Sequence, residues 1–259
     1  SRFPGLQSRL GEYPRKQVTT VAGRPGIGKS TFALNEIRFG AMKGFVQDVI
    51  SLEMTEEQVR TKMAADEMGI DLFNLKTGDC SDEMLDEFEA MMNKQQELPI
   101  AIADWPMTIE DIVCRIRDRA EKVDRYIIDY IQSIRFCASD PRKEYDRVTY
   151  WSNEITAAIK ETKANCLLIS QLNRMVETDG RANMKARKPK LSDLRGSGSL
   201  EQDAYQVIFL YLDDKTEDED MVDNVPVVVE VVKNRGGKTG AVPMIFHKSS
   251  QQFEETAAI

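Results

Sequence analysis

A short β-branched run, VTTVA (18–22), leads into the glycine-rich segment GRPGIGKS (23–30), which runs on into the helix-forming stretch STFALNEIRFGA. This order restricts the fold more than any other feature. The segment fills G-x-x-x-x-G-K-[ST] in the strand–loop–helix setting that gives the pattern its meaning. Glycines at 23, 26 and 28 let the backbone wrap with its N–H groups inward, and a helix starting near Lys29 adds the positive end of its dipole. Gly23, Arg24, Pro25, Gly26, Ile27, Gly28, Lys29, Ser30 and Thr31 are therefore expected to cradle the phosphates of a nucleoside triphosphate. Lys29 would reach the β- and γ-phosphates and Ser30 would ligate Mg²⁺. The alternative, a chance glycine-rich turn, has to explain two correct flanks.

The rest of the chain fits a parallel α/β sheet. Apolar runs at 18–22, 46–52, 100–103, 126–128, 166–169, 207–212, 227–232 and 242–246 read as strands. Near-continuous runs such as YIIDY and CLLIS point to strands covered on both faces. Helical patterns fill the gaps: one opens at Thr55 with Gln58 in capping-box spacing and closes at Gly69. Met84, Leu85, Phe88, Met91 and Met92 form a stripe after Ser81, read as core. Two more helices follow, one from Thr108 with Ile109, Ile112, Val113 and Ile116 on a face, one over 144–163 through Val148, Trp151, Ile155 and Ile159. The last third is richer in strands, so hairpins are expected at one sheet edge. With no repeat and no linker, residues 1–259 are read as one domain.

Composition removes several classes. At 41% hydrophobic and 30% charged residues the chain is neither disordered nor fibrous. No apolar run reaches the roughly 18 residues that cross a bilayer, and the opening SRFPGLQSRLGEYPRKQ is too polar for a secretory signal. Four separated cysteines (Cys80, Cys114, Cys137, Cys166) and a single histidine exclude a zinc finger and argue against a disulfide framework, so a reduced, cytoplasmic setting is expected. The net charge of −8 opposes nucleic-acid binding globally, but the charges are segregated. Six cations (Arg181, Lys185, Arg187, Lys188, Lys190, Arg195) stand against one acid, Asp193, while acids gather in DDKTEDEDMVD (213–223). The basic stretch is either a solvated loop or a phosphate-contacting surface.

Hydrolysis needs more than a phosphate loop. Asp129 closes the buried strand in RYIIDYIQ, where a carboxylate would hold hydrated Mg²⁺, and a charge there is costly without a partner. Glu53, ending VISLEM, is the candidate base for water, or alternatively an acid at the N-terminus of the following helix. Gln171 ends CLLISQ, so three polar residues end three strands at the edge where α/β sheets bind ligands. KNRGGKTG (233–240) carries three cations: a basic hairpin turn, or Lys233 and Arg235 reaching a neighbour's nucleotide as trans-acting fingers do. In KPKLSDLRGSGSLEQDA (188–204), Arg195, Gly196, Ser197, Gly198 and Ser199 form a glycine–serine loop that could follow a phosphate backbone, or serve as a linker. Its lack of aromatics argues against base stacking there.

Taken in order, GRPGIGKST, SLEM, IIDYIQ, ISQLNR, SDLRGSGSLEQDA and KNRGGKTG resemble the replicative DNA helicases of the DnaB family, within the RecA-like ATPases, from about Gly11 to Phe253. The resemblance implies a RecA-like P-loop fold and a homo-hexameric ring with ATP and Mg²⁺ between subunits, moving 5′ to 3′ on single-stranded DNA. It implies partners in a primase and a helicase loader. By motif position Lys29 and Ser30 are the P-loop pair, Glu53 the catalytic glutamate, Asp129 the Walker B aspartate and Gln171 the γ-phosphate-linked residue. Lys233 and Arg235 become the trans-acting lysine and arginine finger. Arg195, Gly196, Ser197 and Gly198 would touch DNA in the channel, although Gly196 stands where the family usually has a glutamate. Only 22 residues precede Gly23, too few for the family's N-terminal helical domain and linker helix, so the chain is read as the motor domain with hexamer contacts weakened. A P-loop kinase lacks an acceptor or lid signature here and leaves KNRGGKTG unexplained. An ATP-dependent assembly or loading switch shares every phosphate-contacting residue and stays open.

Overall fold

The computed structural model describes residues 1–136, 140, 142–172, 188–194, 197–212 and 223–256. Its strands are β1 (Val18–Gly23), β2 (Gln47–Ser51), β3 (Ile100–Ala103), β4 (Arg125–Asp129), β5 (Asn165–Gln171), β6 (Gln206–Leu212), β7 (Asn224–Asn234), β8 (Gly240–His247) and β9 (Gln252–Glu255). Its helices are α1 (Pro4–Leu10), α2 (Lys29–Met42), α3 (Glu56–Met68), α4 (Leu72–Thr77), α5 (Asp82–Glu97), α6 (Ile109–Asp118), α7 (Glu144–Glu161) and α8 (Ser197–Asp203). One sheet runs β3-β2-β4-β5-β1-β6-β7-β8-β9. The first six strands in that order are mutually parallel, and β6 to β9 continue as antiparallel hairpins. All eight strands read from the sequence are present, and the strand-rich C-terminal edge is as expected.

The inner strands are buried on both faces because alternate residues feed two cores. Val21, Ile127, Leu167, Ile169 and Ile208 pack on the side of α1, α2 and α3. Ala22, Tyr126, Ile128, Leu168 and Phe209 pack against the residues of α6 and α7. The outer strand β7 alternates buried and half-buried residues, the pattern of a sheet wetted on one face. The Thr55–Gln58 capping box and the left-handed Gly69 cap of α3 form as read, and the apolar faces of α6 and α7 are buried.

Three readings change. The stripe on α5 is not core: Met84 and Leu85 are exposed, Phe88, Met91 and Met92 only half-buried, and Gln95 is the one buried residue. α5 packs chiefly on α3, outside the sheet layer, so helical period marked an amphipathic face without revealing how little would cover it. The glycine–serine segment is not an open loop from residue 197 on, since Ser197 and Gly198 begin α8. Short α1, α4 and β9 went unread because four to seven residues carry too little periodicity. Cys80, Cys114 and Cys166 are free thiols, and Cys137 lies outside the described residues. Among the described residues no helix is long and apolar enough to cross a membrane.

Candidate functional site at the carboxyl edge of the sheet

β1, β2, β4 and β5 all point their carboxyl ends to one edge, so the segments after Gly23, Ser51, Asp129 and Gln171 meet there. They surround a cavity of about 360 Å³ lined by Gly26, Gly28, Lys29, Ser30, Thr31, Glu53, Asp129 and Gln171. Residues as far apart in sequence as Gly26 and Gln171, 145 positions, thus face one space.

The loop needs its glycines for different reasons. At Gly23 a β-carbon would sit 2.6 Å from the carbonyl oxygen of Leu210, so only glycine lets β1 and β6 approach. Gly28 combines a left-handed φ of 89° with Phe246 and Phe253 carbons 2.8 Å from where a β-carbon would stand. α2 begins immediately after it, directing its free N–H groups at the cavity.

Lys29 is buried, and its ammonium donates to the Arg24 carbonyl at 2.8 Å, folding the side chain along its own loop. Burial pulls its pKa down to about 8, against the opposing pull of Asp129 and Glu53. Asp129 is 4% exposed, and burial raises its pKa to about 6; the Ser30 hydroxyl, hydrogen-bonded to it, works the other way. Its Oδ1 is buried with no hydrogen-bond partner. A carboxylate oxygen left unsatisfied beside a serine hydroxyl suits a hard divalent cation, so the donor set fits Mg²⁺.

Glu53 sits in the bend after β2, where Ser51 Oγ donates to the Met54 carbonyl at 2.6 Å. The N-terminus of α3 is served instead by Thr55, Gln58 and Asp104, whose carboxylate accepts from the Glu56 N–H at 2.8 Å. Glu53 itself lines the cavity. Gln171 stands on the edge beside Gly23, its N–H donating to Gln132 Oε1 at 3.2 Å, while Gln132 Nε2 donates to Ser170 Oγ at 2.9 Å. Gln132 so ties the ends of β4 and β5.

Sequence reasoning missed five residues of this cavity: Lys62, Tyr130, Phe246, Lys248 and Gln251. Gln251, in the turn before β9 with φ 55°, accepts through Oε1 from Thr31 Oγ1 and from Lys62 Nζ, both at 2.8 Å. Its carbonyl accepts from Asn35 Nδ2 at 3.1 Å. A turn that closes over a loop 220 residues away leaves no mark in local sequence.

Lys233 and Arg235 are not in this cavity. Lys233 is level with Val207 of β6, and the Arg235 N–H donates to the Tyr205 carbonyl. Leu210, the partner of Gly23, is five residues beyond Tyr205, which puts Arg235 about 16 Å behind the glycine-rich loop along the strand direction. Lys233 Nζ donates to the Glu201 carbonyl, and Arg235 to the Gln202 carbonyl at 2.6 Å. The turn is well held: Asn234 Nδ2 donates to the Arg9 carbonyl at 3.0 Å, as does the Lys238 N–H at 3.1 Å. Arg195 and Gly196, with Arg181, Lys185 and Arg187, lie outside the described residues. Gly198 faces an aromatic after all: the Tyr145 hydroxyl is 3.2 Å from where its β-carbon would stand.

Residues 1–255 match the model of the DnaB-like helicase C terminal domain. The chain is 31% identical over 255 residues to the replicative DNA helicase DnaC of Bacillus subtilis (strain 168), and equally to the replicative DNA helicase DnaB of Geobacillus stearothermophilus. Each alignment covers 97% of this chain and 55% of the relative, so the chain spans about half the length of the curated relatives it matches. Among solved structures, the ATPase domain of G40P superposes with a TM-score of 0.86 at 26% identity, over 98% of this chain and 90% of that one. A DnaB-like replicative helicase, described with its interactions with primase, gives 0.85 at 26%, over 98% and 60%.

Proposed function

The chain belongs to the DnaB-like helicase C-terminal domain family, with its RecA-like α/β fold, and from that premise we propose that it is a single motor domain that hydrolyses ATP to move along single-stranded DNA. The observation that carries this reading is the convergence of Lys29, Ser30, Glu53, Asp129 and Gln171 on one cavity, with an unpartnered carboxylate oxygen at its floor.

In this reading Lys29 leaves the Arg24 carbonyl for the β- and γ-phosphates, supported by the loop N–H groups of residues 23–31. Ser30 and Asp129 would hold Mg²⁺, which would supply positive charge against the phosphate oxygens. Glu53 accepts the proton of the attacking water, and Gln171 contacts the γ-phosphate and relays its presence into β5. Lys233 and Arg235 stand at the far edge of the sheet from their own phosphate loop, which supports their serving the ATP of a neighbouring subunit. The assembly is then a homo-hexamer with ATP sites between subunits. The segment of Arg195, Gly196, Ser197 and Gly198 carries phosphates of DNA through charge and N–H groups. Translocation 5′ to 3′, a cytoplasmic setting and meetings with a primase and a loader follow from the family reading.

Steady-state ATP hydrolysis with and without single-stranded DNA, over a range of protein concentrations, tests this. Stimulation by DNA that grows faster than linearly with protein is expected, and Glu53→Gln should bind ATP yet turn over roughly a hundredfold more slowly. Hydrolysis indifferent to DNA and to concentration would overturn the motor. Tight ATP binding without turnover would favour the assembly switch.

A further inference from the structure

Phe136 and Tyr145 are 52% and 53% exposed, two of the five large aromatics that open to solvent among the described residues, with Phe45, Phe73 and Trp105. They flank the start of α7 together with half-buried Tyr150. Two of the three rings already carry a guanidinium. Arg147 lies 3.6 Å from the centroid of Phe136, and Arg142 lies 4.0 Å from that of Tyr150. The Nε of Arg147 is buried with no hydrogen-bond partner, so the group is spent on the ring rather than on a hydrogen bond at that atom. Rings and delocalised guanidinium planes are both flat surfaces on which a nucleobase stacks.

Their place in the fold matters as much as their chemistry. Tyr145 stands against Gly198 at the start of α8, and Ser152 Oγ donates to Asp203 Oδ2 at 2.7 Å, tying α7 to α8. The charges nearby nearly cancel: Arg135, Arg142, Lys143 and Arg147 against Asp140, Glu144 and Asp146. Arg142 is moreover engaged by Asp140 at 2.9 Å. A nearly neutral surface that presents the Tyr145 ring beside two guanidinium planes stacked on rings suits bases rather than phosphates.

We propose that Phe136, Tyr145 and Tyr150, with Arg142 and Arg147, form a platform that stacks the bases of single-stranded DNA beside the α8 segment. The proposal rests on the DNA-binding reading above and divides the work within it. The α8 segment takes phosphates, the α7 end takes bases, and because every base has a π-face the grip is independent of sequence.

The test compares a fluorescent oligothymidylate with an abasic oligomer of equal length, by anisotropy with the full chain and a non-hydrolysable ATP analogue. The wild type is expected to bind the base-bearing oligomer about tenfold more tightly per engaged ring. Tyr145→Ala and Phe136→Ala should bring that affinity down toward the abasic level while abasic binding and the salt dependence stay as they were, which also reports intact folding. Tyr145→Trp and Phe136→Trp should keep the preference. Equal binding of both oligomers by the wild type overturns the platform and leaves DNA binding standing. So does a preference that survives in both alanine variants. If the wild type binds neither oligomer, the DNA-binding reading falls, and the platform with it.

Discussion

The two edges of the sheet treat their charges in opposite ways. At the carboxyl edge Lys29 and Asp129 are buried: burial moves one down to about 8 and the other up to about 6, and while Lys29 rests on the Arg24 carbonyl, Asp129 keeps an oxygen with no partner. At the amino edge Lys233 is half-buried and Arg235 exposed, and both rest on backbone carbonyls of α8. The first arrangement is costly without a ligand and is relieved by one. The second costs little and can be given up when a better acceptor arrives. In the proposed ring each edge is half of a site, and the dissatisfied half waits for phosphate while the parked half waits for a neighbour.

The sharpest break of this comparison uses both halves. Lys29→Ala removes the cation at the carboxyl edge and should cut turnover by roughly a thousandfold. Arg235→Ala removes the proposed finger at the other edge and should cost about a thousandfold as well, with ATP binding by each chain retained in the second variant. Mixing the two dead variants should then restore about a quarter of wild-type turnover, since some interfaces pair an intact loop with an intact finger. Full activity of Arg235→Ala alone, or no recovery on mixing, would place the finger reading outside the mechanism.

The two halves also differ in how far the sequence revealed them. The place of the glycine-rich loop was legible because strand, glycines and helix are contiguous, and the places of Asp129, Gln171 and Glu53 at the same cavity because each follows a recognisable apolar run. What those runs could not tell is which edge receives the 233–240 turn: that depends on β7 running antiparallel to β6, a fact of topology. Gln251 and Lys62 were invisible for a similar reason, as their partners Thr31 and Gln251 lie 220 and 189 residues away. Tyr145 escaped because its ring reaches Gly198 from another helix. The α5 stripe shows the converse error, a local pattern read correctly as amphipathic but assigned to a core that is not there.

A smaller effect measures the dissatisfaction at the carboxyl edge directly. The folded pKa of Asp129 lies above its ordinary value of 3.8, so the native state holds a proton that the unfolded chain gives up between about pH 4 and 6. Stability contributed by this group therefore falls as pH rises through that window, and the cost is fully present above about 6. A rise to about 6 corresponds to about 3 kcal/mol at most, reduced because Lys29 loses a partner when Asp129 goes. Asp129→Asn should match the wild type in Tm near pH 4 and exceed it by roughly 3–6 °C at pH 7 in the absence of nucleotide, while losing hydrolysis. A Tm gap that stays flat with pH would mean the carboxylate is already satisfied, and the contrast between the edges would lose its physical basis.

The smallest expected effect probes the parked half. A β-carbon at Gly237 would crowd the Asn234 side-chain amide and stand 3.0 Å from the Arg9 carbonyl. The amide can swing aside, but it is also what ties the turn to Arg9 and Leu10. Gly237→Ala should therefore cost only about 1 kcal/mol of stability. Its larger consequence should be on turnover, because the same displacement moves Arg235, two residues away, from the position it would offer a neighbour. A several-fold drop in DNA-stimulated hydrolysis with Tm lowered by roughly 2–4 °C is the expected result. Unchanged hydrolysis at that loss of Tm would show that the turn needs only its charges, and that its fixed geometry belongs to folding.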